Sequence, residues 1–349
     1  MYLKDLVDIQ MGQSPDSKFY NNDKIGLPFY QGKADFGRIN PIPKIWCSKS
    51  KKEAKPNDIL ISVRAPVGDL NINNEQSCIG RGLAAITCKS DVDMMYLYYH
   101  LKYLKPQLKH ISTGSTFESI NRSQLENLII DYKPYFEQIK ISNILQVVQR
   151  QIEVREKLLR LYDLLIKSRF VEIFKNNKAH IAIGELFQVM DGDRGKNYPK
   201  ATDFFDEGYC LFLNAKNVTK NGFCFDTVQF ITQQKDEQLN KGRVLPEDII
   251  LTTRGTVGNV AYCDIKSSHK HMRINSGMVI LRSKDIIYDV DFITYVLSNQ
   301  INYGKEISGS AQPQLPISKL KDIMIPFPEI FLQKDFGYLI KQINKLKFA

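Results

Sequence analysis

Two near-copies of one phrase carry the residue types that contact nucleic acid. Pro56-Asn57-Asp58-Ile59-Leu60-Ile61-Ser62-Val63-Arg64-Ala65-Pro66-Val67-Gly68 returns 190 positions later as Pro246-Glu247-Asp248-Ile249-Ile250-Leu251-Thr252-Thr253-Arg254-Gly255-Thr256-Val257-Gly258. Each places an arginine, Arg64 or Arg254, at the mouth of a turn, where a guanidinium either pins its own loop or meets a phosphate or a base edge. Lys33 and Lys216 form a second matched pair, after Phe29-Tyr30-Gln31-Gly32 and Phe212-Leu213-Asn214-Ala215. Ser115, Thr116, Gln312 and Gln314 fall in loops before the last strand of each copy, where contact with DNA and contact with neighbouring helices are equally open. Arg38 and Arg81 in the first copy, and Arg194, Lys196, Asn217 and Arg273 in the second, have no counterpart. If these loops contact nucleic acid, residues without a counterpart would let the two copies contact it differently.

Catalytic chemistry finds no comparable pattern. An adenine methyltransferase needs an Asn/Asp-Pro-Pro-aromatic loop, and Asn40-Pro41-Ile42-Pro43 lacks both the paired prolines and the aromatic, so it reads as a turn. Gly80-Arg81-Gly82 and Gly255-Thr256-Val257-Gly258 are not dinucleotide-binding openings, and no phosphate-binding G-x-x-x-x-G-K-[ST] loop is present. His269-Lys270-His271 has no acidic or cysteine companion at ligand spacing, so no metal is expected. Asp191-Gly192-Asp193-Arg194-Gly195 begins like a calcium loop but lacks the glycine and glutamate that such a loop needs further on.

The elements that must position these residues are themselves duplicated. Leu3-Lys4-Asp5-Leu6-Val7-Asp8-Ile9 with Gly12 lies over Ile183-Gly184-Glu185-Leu186-Phe187-Gln188-Val189 with Gly192, an offset of 180, and Leu125 and Gln138 meet Leu320 and Gln333 at 195. Collinear matches with a slowly growing offset describe two whole domains, since solenoid repeats are only about 20 to 50 residues long. In each copy the β-branched run at Ile59 or Ile249 predicts a buried strand entering an exposed loop. Gly82–Ile86 and Gly277–Leu281 predict a second strand, Asp93–Leu104 and Asp291–Gln300 a helix opened by a capping aspartate, and Leu128–Ile130 and Ile323–Ile325 a closing strand. The fold class is mixed α+β.

The stretch from Tyr135 to Phe174 has neither proline nor glycine, and Ile141, Leu145, Val148, Ile152, Leu159, Tyr162 and Ile166 recur at helical spacing. One helix of about 60 Å is expected, too long to stand without a partner. The second copy opens the same helix with Phe336, Ile340 and Ile343 in place of Ile141, Leu145 and Val148. An antiparallel coiled coil follows, the C-terminal helix covering about half of the central one and leaving apolar surface on Ile152 to Phe174 for another chain.

Composition sets the outer limits. The chain has 349 residues with 48 Lys+Arg against 38 Asp+Glu, a net charge of +10 that favours a polyanionic partner. No apolar run approaches the roughly 18 to 20 residues of a membrane helix, and acids near the N-terminus replace the pattern of a secretory signal, so a cytoplasmic protein without membrane contact is expected. The six cysteines contain no C-x-x-C pair and read as buried or free thiols.

This arrangement resembles the specificity subunit of type I restriction-modification systems. The matching features are the duplicated Asp-Ile-x-x-x-x-Arg phrases at Asp58 and Asp248 and the Gly-Ser-Thr/Ala loops at Gly114-Ser115-Thr116 and Gly309-Ser310-Ala311. The helix openings at Gln138-x-x-Ile141 and Gln333-x-x-Phe336 complete the match. The resemblance implies two target-recognition domains, 1–134 and 177–329, separated by a central spacer helix, 135–176, and followed by a short C-terminal one, 330–349. Each domain would read half of a bipartite target in double-stranded DNA, and the helices would dock two modification (methyltransferase) subunits, which restriction subunits join. The chain itself would be non-catalytic and without cofactor, with S-adenosylmethionine in the methyltransferase and ATP and Mg in the restriction subunit. The competing expectation is a duplicated protein-interaction scaffold without sequence-specific DNA binding.

Overall fold

A computed structural model of the chain describes residues 1–113, 118–264, 269–307 and 313–348. Two compact units divide it, Met1–Glu156 and Lys157–Ala349, and the division falls inside the connector helix Tyr135–Phe174.

The first unit is built on a four-stranded antiparallel sheet in the order Val7–Met11, Leu83–Cys88, Ile59–Ser62, Leu70–Ile72. All four residues of Ile59–Ser62 are buried because both faces of the strand are covered. Ile59 and Ile61 face a cluster with Leu97 and Leu101 of the helix Met94–Tyr103. Leu60, between them, faces Tyr30 and Ile79 of a second, five-stranded sheet. Alternation of side chains along a strand thus feeds two layers, and each fully buried Ile or Leu contributes about 1.5–3 kcal/mol relative to an exposed one.

The second unit repeats this construction. Its sheet runs Phe187–Asp191, Met278–Ser283, Ile249–Thr252, Val260–Tyr262. Ile249 and Leu251 pack with Phe292 and Val296 of the helix Val290–Asn299, while Ile250 packs with Leu211 and Ile274 of the second sheet.

Two expectations are corrected. In the second copy the helix is capped by Asp289, whose carboxylate accepts the Phe292 N–H at 2.9 Å, while Asp291 lies in the first turn and pairs with Lys341 at 2.9 Å. In the first copy Asp93 is the cap, as expected, accepting from Tyr96 at 2.7 Å. The closing segment Leu128–Ile130 forms a single bridge, Tyr2 with Ile129, whereas its counterpart Met324–Pro326 pairs fully with His180–Ala182.

The connector helix ends in the core of the second unit. Phe336 of the C-terminal helix Ile330–Phe348 lies within 5.4 Å of Phe170 and 5.5 Å of Phe174 between ring centroids, and Lys347 near its end reaches Asp163 at 2.6 Å. The two helices are therefore antiparallel here. Ile166, Phe336, Ile340 and Ile343 are buried in this core, so they are packing residues and not a free docking surface. Part of the apolar surface expected on Ile152 to Phe174 is consumed in the same way, by Ile166, Phe170 and Phe174. The exposed stripe instead runs through Leu145, Val148 and Ile152, with Val154, Leu158, Leu161 and Leu165 beyond it, while Ile141, Leu159 and Tyr162 are half-buried. No helix of the described residues is long and apolar enough to cross a membrane.

Candidate nucleic-acid interface

The strand ends bring one set of loops together in each unit. In the first unit Ser62 pairs with Leu83, Met11 with Ala84 and Tyr30 with Ile79, so the segments after Met11, Tyr30 and Ser62 and before Leu83 emerge at one end. Tight packing there excludes side chains: a Cβ on Gly12 would stand 2.2 Å from the Gly80 carbonyl oxygen, and one on Gly82 would stand 2.3 Å from that of Gln31. These glycines let the loops touch. Lys33, Arg64 and Arg81 project from this cluster and are exposed. Gln13, Ser14 and Gln31 join them, the Ser14 hydroxyl accepting the Arg81 N–H at 3.2 Å. Sequence reasoning missed those three, although the invariant placement of Gly12 and Gly192 in the two copies marked the spot.

The Arg64 loop is held by its own strand. The Ser62 hydroxyl donates to the Pro66 carbonyl at 2.7 Å and accepts the Asp69 N–H at 2.9 Å, and Gly68 takes φ +83, which favours glycine. Thr252 makes the same pair of contacts, to the Thr256 carbonyl and from the Asn259 N–H, with Gly258 at φ +95. The Asp69 side chain gathers Lys105 at 2.6 Å and Lys33 at 2.9 Å. Burial pushes its carboxyl up, but the hydrogen bonds and charges of the two lysines outweigh this and hold it below the ordinary range.

In the second unit the equivalent end collects Asp191–Lys196, Asn214–Lys216, Arg254 and Asn275–Gly277. Asn275 donates its N–H to the Leu213 carbonyl at 3.0 Å, Arg254 its N–H to Gly277 at 3.1 Å, and Arg194 a guanidinium N–H to Ser276 at 3.3 Å. Lys196 and Lys216 are exposed, while Arg194 also pairs with Asp191 at 3.0 Å. Arg254 is half-buried, bridged through its backbone to Gln314, with a buried Nε that makes no hydrogen bond among the described residues. Ser115, Thr116 and Gln312 lie outside the described residues.

Three expected readers have other occupations. Asn217 is fully buried and closes a turn, its amide donating to Cys224 at 3.1 Å and Thr227 at 2.8 Å and its oxygen accepting from Asn214 at 3.0 Å. Arg273 is 3% exposed, ion-paired with Asp236 and donating to the carbonyls of Lys241 and Leu239 at 2.6 and 3.0 Å. A buried guanidinium with its donors engaged is a structural group. Arg38 is exposed, but its guanidinium pairs with Glu153 at 3.4 Å and Glu156 at 3.2 Å on the connector helix.

Among the described residues no group of three or more His, Cys, Asp or Glu is placed to hold a metal ion. His271 stacks on Tyr209 at 4.2 Å, and His269 meets the Phe225 ring edge-on at 5.0 Å. Asp193 serves its turn, accepting the N–H groups of Gly195 and Asn240 at 2.7 and 2.8 Å. Asn40 likewise donates to the Ile72 carbonyl at 2.8 Å, as a turn residue. What the arrangement can do is present cationic and amide side chains from a braced platform, once per unit, with different residues on each.

Comparison with known proteins agrees with the duplication. A family model described as the type I restriction modification DNA specificity domain matches residues 1–160 and again 176–347. The chain is 25% identical to the MjaIX type I restriction enzyme specificity subunit of Methanocaldococcus jannaschii, covering 95% of this chain and 83% of that one. It is 45% identical over 150 residues to a protein of the same organism provisionally named the MjaX type I restriction enzyme specificity subunit. That match spans 43% of this chain and only 35% of the relative, about a third of its length. The crystal structure of a type I restriction-modification S subunit from M. genitalium shares the fold, with a TM-score of 0.62 at 18% identity over 99% of this chain and 89% of that one.

Proposed function

The chain belongs to the type I restriction modification DNA specificity family, and from that premise we propose that it is the sequence-reading, non-catalytic subunit of a methyltransferase and endonuclease complex acting in the cytoplasm. Each unit reads one half of a bipartite target in double-stranded DNA. Lys33, Arg64 and Arg81 act in the first unit and Arg194, Lys196, Lys216 and Arg254 in the second, with Gln13, Ser14, Gln31 and Asn275 beside them. Gln314, bridged through its backbone to Arg254, joins the second set, and Ser115, Thr116 and Gln312 are further proposed contacts. Lysines and arginines neutralise phosphates, and arginine and amide side chains discriminate base edges.

The exposed apolar stripe of the connector helix, through Leu145, Val148 and Ile152, receives two modification subunits, which bind S-adenosylmethionine. Restriction subunits with ATP and Mg join that complex. The four parts of the chain are then 1–134 and 177–329 for reading and 135–176 and 330–349 for spacing and docking.

The observation that carries this reading is the repetition of one braced loop platform with different side chains on each copy. Co-expression with a type I methyltransferase subunit, followed by mapping of methylated adenines in the host DNA, tests it. A split motif with a fixed gap is expected, and exchanging one unit's loops changes only one half. A continuous motif, or a half-site indifferent to that exchange, would overturn it.

A further inference from the structure

Arg38 sits at the tip of a tight turn between Phe36 and Pro41, and the turn is built with unusual care for an exposed one. Buried Asn71 accepts the Gly37 N–H at 3.0 Å and donates to the Gly37 carbonyl at 3.2 Å. The Ile72 N–H donates to the Ile39 carbonyl at 2.7 Å, and the Asn40 amide to the Ile72 carbonyl at 2.8 Å. From this tip the guanidinium reaches Glu153 and Glu156, which lie on successive turns of one helix face. The equivalent turn of the second unit, Thr219 to Gly222, carries Lys220, which makes no ion pair among the described residues. It borders an open groove of about 580 Å³, also lined by Asp163, Lys167 and Asn344. What is latched in one unit is open in the other.

We infer that Arg38 is a positioning residue: it latches the Phe36–Pro41 turn to the connector helix and fixes how the first reading unit stands on that helix. This rests on the proposed function, in which the helix sets the distance between half-sites. A residue in this role affects which gap lengths are accepted, not which bases are read.

The test uses the full chain with Arg38→Ala, Arg38→Lys, and Arg38→Glu combined with Glu153→Arg and Glu156→Arg. Hydrogen exchange at the Gly37 and Ile42 amides is followed in the chain itself. Methylation by the assembled complex is followed on targets with the gap shortened or lengthened by one pair. In Arg38→Ala, exchange rises about two- to fivefold, the range an exposed ion pair supports, and preference for the cognate gap falls by a similar factor while the methylated bases stay the same. Arg38→Lys and the charge-reversed variant recover both. Unchanged exchange in Arg38→Ala, or an altered base preference with an intact gap preference, would overturn the inference. If the wild-type complex methylated no split site, the functional reading would fail with the gap effect, and the exchange result alone would decide whether the latch exists.

Discussion

The side-chain oxygen of Gln138 accepts the backbone N–H of Asp93 at 2.9 Å, joining the first turn of the connector helix to the cap of the domain helix before it. Gln333 does the same for Asp289 at 3.1 Å. Their amides donate back to the chain just upstream of each helix, to Lys133 at 2.8 Å and Pro328 at 2.7 Å. Both glutamines are essentially inaccessible to water. Gln138→Ala leaves the half-buried Asp93 N–H and the carbonyls of Lys133 and Asp91 without this partner, and should destabilise the first unit by about 1–3 kcal/mol. Urea unfolding followed by a probe in each unit separates this loss from the matching one produced by Gln333→Ala in the second. A loss below a few tenths of a kcal/mol would mean that water replaces the amide.

Removal of Arg273 should unfold the second unit rather than blunt DNA recognition. Asp236 and Arg273 are 2% and 3% exposed at the side chain, and breaking a buried pair costs about 3–5 kcal/mol, a loss that Arg243 reduces because it also pairs with Asp236. Replacing Arg273 and Asp236 together by apolar residues should recover most of that loss. Thermal unfolding of the single and double variants measures it.

Arg81→Ala should relax recognition at one position of one half-site, by about 1–3 kcal/mol if the guanidinium grips a guanine edge, with the other half unchanged. Lys216→Ala should weaken binding evenly across sequences and lower the salt dependence by about one charge. Methylome motifs and binding at several salt concentrations distinguish the two.

Acid should loosen the first unit through Asp69. Its carboxyl is held below the ordinary value near 3.9, so the unfolded chain takes up the proton first as pH falls. The stabilisation is complete above about pH 4 and is lost as pH drops through the lower folded value. Asp69→Asn removes this pH-dependent part, which unfolding curves between neutral and acid pH would reveal. An unchanged pH slope would place the stabilisation elsewhere.

Much of the scaffold was legible because its signals are local. The limits of the connector helix follow from forty residues without glycine or proline, and the duplication from phrases that stay collinear. The failures are long-range. Nothing near Arg273 announces Asp236, 37 positions away, and nothing near Arg38 announces Glu156, 118 positions away. Asp289, two residues before the expected cap Asp291, takes that place because the helix begins at Val290. Ile166 and Phe336 fit a solvent-facing helical stripe as well as a core, and the aromatic cluster around Phe170 selected the core.

The twofold burial of Ile59–Ser62 and Ile249–Thr252 has a consequence for substitution. Every side chain of these strands is spoken for by a neighbouring layer, whereas Arg64, Ala65 and Pro66 beyond the first strand and Gly255 and Thr256 beyond the second are exposed. Substitution at those exposed positions therefore carries little thermodynamic risk, whereas substitution within the strands disturbs a packed interior. A protein of this build can change the side chains at its loop tips without first becoming less stable.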